Sequence, residues 1–345
     1  MKDYILVGLG IAGISFAEVL LQHQKSFIVI SDDSQKTSQV AAGLYNPIIL
    51  KRFSEVWKAQ EQLDLLDIFY ENLERKLQIK INVKIPIFRK IASIEEQNNW
   101  FIAADKPLLA PFLSTQISNK KYQGIESPFG YGEVLKTGYV DTRNLLPAYH
   151  LYLTSINMLQ EETFDHDILK IYDNYVEYKG IKAKHIVFAE GYGMLSNPYF
   201  RTLPLDGTKG ELLVIKVPQL SLDVIIKSRV FMLPLGNFLY MVGATYDWVD
   251  KTDGPTNKGK KELIDNVKEL ISYDFEIVEH QAAIRPTVKD RRPLVGTHTN
   301  YKNMHVLNGL GTRGIMLGPA MANKLFEFIE WNKPLDKQVN INRFY

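Results

Sequence analysis

The strand, glycine turn and helix at the start of the chain constrain its fold more than any other feature. A short apolar strand is predicted at 4–7, the turn Gly8-Leu9-Gly10-Ile11-Ala12-Gly13 follows, and the pattern of 14–22 is that of a helix. A second apolar strand is predicted at 26–30. This order within about thirty residues is the context that a dinucleotide-binding fingerprint requires. It predicts a Rossmann-type βαβ unit at the N-terminal end.

Each glycine of the turn has a separate mechanical role. Gly8 allows the tight turn, Gly10 lets the backbone approach a pyrophosphate, and Gly13 lets the helix lie close to the strand. Ile11 and Ala12 complete the candidate residues of the turn, and the helix N-terminus that follows offers unpaired N–H groups and a partial positive charge that stabilise an anion. A glycine turn that serves only backbone geometry is the alternative.

An acidic residue at the end of the second strand is expected to accept the ribose hydroxyls of a bound nucleotide. Ser31 occupies the expected place, and Asp32 and Asp33 follow it directly. We take Ser31 and Asp32 as candidates, with the register open by one residue.

Three further segments are rich in small residues at places where a backbone would approach a ligand. The run Ala41-Ala42-Gly43-Leu44 follows the βαβ unit, and a buried strand ending in glycine is predicted at 185–191, with Ala189 and Gly191 as candidates. Near the C-terminal end, a strand predicted at 304–307 leads into a glycine-rich turn and a helix. That turn supplies a second helix N-terminus lined with amides. Its candidate ligand-binding residues are Gly309, Leu310, Gly311, Thr312, Arg313, Gly314 and Ile315.

The combination of motifs resembles the D-amino-acid oxidase and glycine oxidase family of FAD-dependent oxidoreductases. The similar segments are VAAGLYNP (40–47), HIVFAEG (185–191), KGE (209–211), FMLPLG with VGAT (231–245), AIRP with DRRPLVG (283–296) and NGLGTRGIMLGP (308–319). They occur in the family's order from residue 4 to about residue 330. The resemblance implies non-covalently bound FAD, held by the glycine-rich segments described above.

The resemblance also implies which residues contact a substrate. Arg285 corresponds to the arginine that pairs with the substrate carboxylate in the glycine oxidase branch, and a planar guanidinium suits such an anion. A structural ion pair with Asp290 or Glu279 is the alternative. Arg313 is a second cation expected near the flavin, where it binds substrate or braces its loop.

One position departs from the family pattern. Phe231 stands where glycine oxidase places a tyrosine over the substrate, and phenylalanine cannot donate a hydrogen bond. Tyr246 and Trp248 follow the VGAT strand and are candidates for an aromatic wall or a phenol donor, although such aromatics more often belong to a core. Tyr246 completes the candidate catalytic set with Arg285 and Arg313.

The expected fold class is α/β, with a Rossmann-type FAD-binding domain interleaved with a mixed or antiparallel-sheet substrate domain. The FAD-binding domain is assigned to residues 1–90, 138–200 and 283–345. The substrate domain is assigned to residues 91–137 and 201–282. A helix is expected at 145–153 with Asp141 or Thr142 as its cap, and a surface helix at 260–272.

Composition narrows the class of protein further. The 41 Lys and Arg nearly balance the 39 Asp and Glu, which gives no general basic excess for nucleic acid. The absence of cysteine excludes disulfides and thiolate sites, and the seven histidines show no metal-binding spacing, so no metal is expected. No run of eighteen apolar residues and no signal peptide is seen, which favours a cytoplasmic protein without a membrane span.

The expected function is therefore oxidation of a C–N bond in a small amine or amino acid, by hydride transfer to flavin and hydrolysis of the imine. Oxygen and other electron acceptors stay open. The motifs GLGTRG and IRPTVKDRRPLVG also resemble the oxidase domain of enzymes that act on a carboxymethylamine of the tRNA wobble uridine, which makes tRNA an alternative partner. A non-catalytic flavin-binding protein is the second alternative.

Overall fold

The computed structural model describes residues 1–345. Seven α-helices are present: α1 Ile11–Gln22, α2 Thr37–Val40, α3 Ala59–Leu77, α4 Ile94–Ala104, α5 Thr142–Ser155, α6 Asn257–Leu270 and α7 Gly314–Trp331. Three short 3₁₀ helices lie at His166–Ile168, Gly191–Ser196 and Ile341–Phe344.

The helices alternate with 21 strands, many of them short. The strands are β1 Lys2–Val7, β2 Phe27–Ser31, β3 Leu44–Tyr45, β4 Ile48–Ile49, β5 Ser54–Glu55, β6 Asn82–Lys84, β7 Ile87–Lys90, β8 Leu113–Ser118, β9 Tyr131–Val134, β10 Gly138–Val140, β11 Leu159–Glu161, β12 Lys170–Ile171, β13 Val176–Tyr178, β14 Ile181–Phe188, β15 Thr208–Lys216, β16 Ile225–Lys227, β17 Phe231–Gly236, β18 Leu239–Gly243, β19 Glu276–Arg285, β20 Leu294–Thr297 and β21 Met304–Asn308.

The first large sheet has a parallel centre, as a βαβ unit requires. Its order is β11-β2-β1-β14-β13-β12, and β21 joins β14 and in turn pairs with β20. The contacts of β1 with β2 and β14, and of β14 with β21, are parallel. Residues 4–7 of β1 and 186–188 of β14 are buried, which explains why they appear in the sequence as unbroken apolar runs.

The second large sheet is mostly antiparallel, with the order β19-β15-β18-β17-β16-β7-β9-β8. Helix α6 packs on one of its faces, with Leu263 and Val267 in a cluster of 18 buried residues. The opposite face, which carries Leu212, Ile225 and Leu233, belongs to a larger cluster of 52 buried residues shared with helices α1, α3 and α7. One continuous core therefore joins the second sheet to the helices of the first.

Two of the sequence-based domain boundaries fall inside strands of the second sheet. Strand β7 (Ile87–Lys90) pairs with β16 and β9, and β19 continues to Arg285 alongside β15. The sequence placed 87–90 and 283–285 in the FAD-binding domain, whereas both segments are strands of the second sheet. The reason is that strand membership depends on partners far along the chain, which local patterns do not reveal. The other boundaries stay a proposed division.

The helices follow the sequence pattern closely, with differences at their ends. Helix α1 begins at Ile11, three residues before the predicted start at residue 14, because a glycine N-cap leaves no polar side chain to mark it. Asp141 caps α5 by accepting a hydrogen bond from the amide of Asn144. Helix α6 occupies 257–270, close to the predicted 260–272. None of the helices combines the length and apolar character needed to cross a bilayer.

Candidate active site

One cavity of about 1930 Å³ lies between the two large sheets. Its walls come from the ends of β1, β2 and β14, from the starts of α1 and α7, from α5, and from the inner face of the second sheet. The cavity therefore brings together chain segments from residue 7 to residue 316.

Two helix N-termini face this cavity without any protein side chain to neutralise them. Helix α1 has Gly10 as its N-cap, helix α7 has Arg313, and neither N-cap side chain bonds the helix. Neither helix has an acidic residue in its first turn. The amide of Ile11 donates to the hydroxyl oxygen of Ser38 at 3.2 Å, which leaves the adjoining amides available. Each helix start is therefore suited to an anion or to another electron-rich group.

Close backbone contacts around the α1 turn require residues without a side chain. A Cβ on Gly8 would lie 2.6 Å from the carbonyl oxygen of Ala189, and one on Gly13 would overlap the carbonyl oxygen of Gly8. Gly43 has φ +66°, and a Cβ there would overlap the carbonyl oxygen of Val140. The glycines thus hold strand, turn and helix together at distances that any larger residue would disturb.

Nearly all the candidate cofactor residues line the cavity. These are Gly8, Gly10, Ile11, Ala12, Ser31, Asp32, Ala41, Ala42, Gly43, Leu44, Ala189, Gly191, Leu310, Gly311, Thr312, Arg313, Gly314 and Ile315. Gly13 and Gly309 do not reach its surface. A Cβ on Gly309 would meet the side chain of Val288 at 2.6 Å, so this glycine serves packing beneath the turn.

The candidate ribose-binding residues lie where β2 ends. Ser31 is the last residue of that strand, and Asp32 follows it. The Asp32 carboxylate accepts hydrogen bonds from the Ser34 hydroxyl at 2.6 Å and the Thr163 hydroxyl at 2.7 Å. These bonds outweigh partial burial and lower the pKa of Asp32, so the carboxylate stays ionised at the cavity wall.

Five Lys and Arg side chains line the cavity, and they fall into two groups. Two are neutralised within the protein, since Arg143 pairs with Glu279 at 3.1 Å and Arg229 pairs with Glu269 at 2.8 Å. The other three have no carboxylate within 4.0 Å: Lys227, Arg285 and Arg313. These three cations have no carboxylate partner in the protein, although seven Asp and Glu side chains also line the cavity.

Arg285 is the most enclosed of these cations. Its guanidinium donates to the carbonyl oxygen of Thr245 at 3.3 Å and lies over the Tyr246 ring, 4.6 Å from the ring centre. A Cβ on Gly210 would overlap the guanidinium, so this glycine makes room for it. Burial lowers the pKa of Arg285 below its ordinary value, yet an arginine keeps its charge at neutral pH.

Neither carboxylate considered as a structural partner forms an ion pair with Arg285. Asp290 pairs with Arg343 at 2.9 Å, and Glu279 pairs with Arg143. Both carboxylates that were considered as partners are thus engaged elsewhere. A largely buried guanidinium without a carboxylate leaves strong hydrogen-bond donors for a bound anion.

The three candidate catalytic residues converge on one region of the cavity. Tyr246 lies close enough to both Arg285 and Arg313 to interact electrostatically with each of them. Burial lowers the pKa of Arg313, and Arg291 and Arg292 lower it further. Tyr246 lines the cavity and is 61% exposed, whereas Trp248 lies outside the cavity lining.

Several residues at the site were missed by the sequence analysis. Asn308 joins two of the glycine turns, because its side-chain amide donates to the carbonyl oxygen of Gly191 at 2.8 Å and its oxygen accepts from the amide of Gly309 at 2.7 Å. The Thr142 hydroxyl donates to the carbonyl oxygen of Ala41 at 3.1 Å and so ties α5 to the cavity wall. Lys227 was also missed. Asn308 directly precedes the C-terminal glycine turn, so its position in the sequence indicated a place at the site. No neighbouring motif indicated such a place for Lys227.

Comparison with known proteins agrees with this geometry. A family model described as FAD dependent oxidoreductase, DAO, matches residues 3–327. The chain belongs to this family. FAD is accordingly its cofactor, and the residues present fit FAD, because two helix starts suited to anions and a glycine-lined wall face one large cavity.

Individual members of the family share only part of their sequence with this chain. A bifunctional protein of tRNA 5-methylaminomethyl-2-thiouridine biosynthesis, MnmC, from Marinobacter nauticus is 26% identical over 53% of this chain and 33% of its own length. Glycine oxidase from Bacillus subtilis is 23% identical over 62% of this chain and 61% of its own. The match thus spans less than two thirds of either relative.

The fold extends over the whole chain. The crystal structure of iminodiacetate oxidase from Chelativorans sp. BNC1 superimposes with a TM-score of 0.79, at 16% identity, over 98% of both chains. At this identity the similarity establishes the fold. The interleaved α/β architecture expected from the sequence is thereby confirmed.

Proposed function

We propose that this FAD-dependent oxidoreductase oxidises the C–N bond of a small amine that carries a carboxylate, with Arg285 binding that carboxylate. The observation that carries the proposal is a largely buried guanidinium without a carboxylate partner, in the cavity that also holds both helix N-termini. A carboxylate on Arg285 would make two parallel hydrogen bonds in a fixed plane. Such a pairing fixes the position of the carbon next to the amine.

The reaction requires little chemistry from the side chains. When bound, FAD accepts a hydride, which is one proton and two electrons, from the carbon attached to the amine nitrogen. The substrate nitrogen forms a double bond to that carbon, and water then hydrolyses the imine to a carbonyl compound and a free amine. The electron acceptor that reoxidises the flavin is oxygen or another oxidant, and nothing in the site selects between them.

The side chains of this chain orient the substrate and exclude water. Phe231 and Leu212 form an apolar wall in the cavity, and Tyr246 stacks on the guanidinium of Arg285. Positive charge from Arg285 and Arg313 would hold an anionic substrate and favour deprotonation of its ammonium, which must be neutral to lose a hydride. Positioning of this kind lowers the barrier by reducing the entropy lost in reaching the reactive geometry.

The experiment is an anaerobic reduction screen followed through the flavin absorbance. Purified holoprotein is mixed with glycine, sarcosine, proline, and D- and L-amino acids, each compared with the corresponding amine that lacks the carboxylate. Bleaching by one of the carboxylates, and not by its amine counterpart, is the expected result.

Two Arg285 variants test the assigned contact. Arg285→Leu should leave FAD bound and weaken productive binding by about 2–5 kcal/mol, because the partner charge is lost. Arg285→Lys keeps the positive charge but lacks the planar guanidinium with its two parallel donors. It should therefore recover part of the lost substrate binding. Unchanged reduction by Arg285→Leu would refute the assigned role.

A second candidate function uses the same chemistry on a larger substrate. Arg291, Arg292 and Tyr246 all lie near Arg313. The rings of Tyr246 and of Trp248, two residues further along the chain, are exposed. Basic side chains beside exposed aromatics are suited to phosphates and to unstacked bases. The similarity to MnmC makes a carboxymethylamine on a tRNA uridine the corresponding substrate.

Salt dependence separates the two candidates. If the substrate is a tRNA, Arg291→Gln with Arg292→Gln should weaken its binding and reduce the slope of log affinity against log salt. Oxidation of free amino acids should not change in that variant. Equal tRNA affinity and salt slope in the variant and the wild type would refute the role of Arg291 and Arg292, and failure of the wild type to oxidise modified tRNA would exclude the second candidate.

A further inference from the structure

Lys227 is a cation of the cavity that the proposed reaction does not use. It is the last residue of β16, it lines the cavity, and its ammonium donates one hydrogen bond, to the carbonyl oxygen of Arg229 at 3.0 Å. No carboxylate lies within 4.0 Å of it, and its two remaining N–H groups have no partner in the protein. If Lys227 served only to stabilise the turn to Arg229, its side chain would not need to line the cavity.

Strand register places Lys227 on the same face of the second sheet as the substrate wall. Lys227 is paired with Phe231, Phe231 with Gly243, and Gly243 with Leu212. Residues in register across a sheet point to the same side. Lys227 therefore lies on the cavity face, directly beside Phe231.

Arg285 lies toward the other end of this face. Its guanidinium lies over Gly210, two residues before Leu212 on β15. Three strand spacings and two residues of rise place the Cα atoms of Gly210 and Lys227 about 16 Å apart. The side chains of Leu212 and Phe231 lie between them, so two cationic ends enclose an apolar middle.

The surroundings of Lys227 leave its charge uncompensated. Burial, followed by the positive charge of Arg89, lowers the pKa of Lys227 to about 8. Arg89 is itself paired with Glu96 at 2.7 Å, and Arg229 with Glu269. Glu262 also lines the cavity, but it is exposed and makes no ion pair with Lys227 or with any other cation. An anion beside Lys227 would restore the stability of its charged form.

We propose that Lys227 binds a second carboxylate, at the far end of an elongated amine whose first carboxylate lies on Arg285. This inference rests on the proposed function and specifies its substrate class, a dicarboxylic amine with an aliphatic segment between the two acidic groups. The apolar side chains of Leu212 and Phe231 match that segment, whereas a second polar group would find no partner there.

The first experiment measures binding without turnover. Wild-type holoprotein is titrated with straight-chain dicarboxylates from succinate to suberate, and with the monocarboxylate of the same length, while the flavin absorbance is followed. One dicarboxylate should bind more tightly than its monocarboxylate partner. Lys227→Met should remove that preference, a loss of about 10- to 150-fold for a charge-assisted contact, and leave the monocarboxylate affinity unchanged.

Variants and a matched control keep the result interpretable. Lys227→Arg preserves a cation and should retain the preference, and Lys227→Gln provides a second neutral variant if Lys227→Met does not fold. Lys216→Met changes an exposed lysine at the end of β15 and should behave as the wild type. A dicarboxylate preference that survives both neutral variants overturns the role of Lys227.

The proposal and the proposed function fail in different ways. If no carboxylate of either kind perturbs the flavin, and Arg285→Leu changes nothing, the assignment of Arg285 fails and the second site fails with it. If monocarboxylates bind through Arg285 and dicarboxylates bind no better at any length, only the Lys227 site is overturned. With N-carboxyalkyl glycines as substrates, Lys227→Met should raise KM and leave kcat unchanged.

Discussion

Two glycines with similar backbone conformations differ in what surrounds them. Gly43 has φ +66° and a Cβ there would overlap the carbonyl oxygen of Val140, whereas Gly180 has φ +83° and a Cβ there would meet no atom within 4 Å. Gly180→Ala should cost only the strain of a left-handed residue, about 1–2 kcal/mol. Gly43→Ala should add about 1–3 kcal/mol of overpacking and weaken FAD binding.

Urea unfolding and FAD titration of both glycine variants check this prediction. Gly180→Ala serves as the matched control, because it changes the same atoms at a distance from the cavity. Equal losses of stability and equal FAD affinities in the two variants would contradict a role for close packing at Gly43.

A buried histidine pair links stability to pH. The Nδ1 atom of His185 lies 3.1 Å from Nε2 of His305, and Nδ1 of His305 lies 2.8 Å from the Thr297 hydroxyl. Burial lowers the pKa of both histidines, and each lies in the centre of the first sheet. Because unfolded histidine takes up a proton near pH 6.5 and the folded pair does not, the unfolded state binds more protons below that pH.

The contribution of this pair to the free energy of unfolding should therefore be constant above about pH 6.5. Below pH 6.5 that contribution should decrease by about 1.4 kcal/mol per pH unit for each proton that the unfolded state binds. Urea unfolding between pH 5.5 and pH 7.5 measures the slope. His305→Gln should lower stability at pH 7.5 and flatten the slope. An identical slope in His305→Gln would show that other groups cause it.

At the scale of elements, the packing of α1 against α7 fixes the position of both helix N-termini. Gly318 of α7 faces Ser15 of α1, and a Cβ on Gly318 would lie 2.6 Å from the Ser15 hydroxyl oxygen and 3.1 Å from the Ile11 side chain. In an open helix, Gly→Ala stabilises by about 1 kcal/mol. Here Gly318→Ala should instead destabilise the protein and weaken FAD binding, because the helices must separate.

Ser15→Ala tests whether that contact is the cause. The Ser15 hydroxyl donates within its own helix, to the carbonyl oxygen of Ile11 at 2.7 Å, so its removal alone costs little. The double variant Gly318→Ala with Ser15→Ala should recover most of the lost stability and FAD affinity. Purely additive effects in this double-mutant cycle would mean that the two residues do not interact.

These elements also show how far sequence alone could reach. The βαβ unit and the C-terminal turn were predictable because glycine spacing and apolar runs are local signals. Lys227 was not, because its place beside Phe231 depends on strand pairing across a turn and on a cavity formed by distant segments. The same reason explains β7, whose Ile87 pairs with Ile225. Sequence motifs pointed to the glycine-rich walls and to Arg285, and strand pairing was needed to place Lys227 beside Phe231.

At the scale of the whole molecule, the cavity lies between both sheets and is lined by both. A core cluster of 52 residues also contacts the helices of the first sheet and the inner face of the second. FAD bound in the cavity should therefore stabilise both sheets as one cooperative unit. If only the first sheet held the cofactor, the second would unfold independently of FAD.

Removing FAD tests this cooperativity. At a free FAD concentration a hundredfold above its Kd, the folded state gains about 2.7 kcal/mol, which for 345 residues raises Tm by about 4 °C relative to the apoprotein. Hydrogen exchange of peptides from β14 and β15 should slow by the same free energy when FAD is added, since both then open only with the whole molecule. Slower exchange in β14 with unchanged exchange in β15 would show that the second sheet opens without releasing the cofactor. In that case the substrate wall, with Lys227 and Phe231, would be a separately mobile unit, and the distance between Arg285 and Lys227 would be set by the substrate and not by the fold.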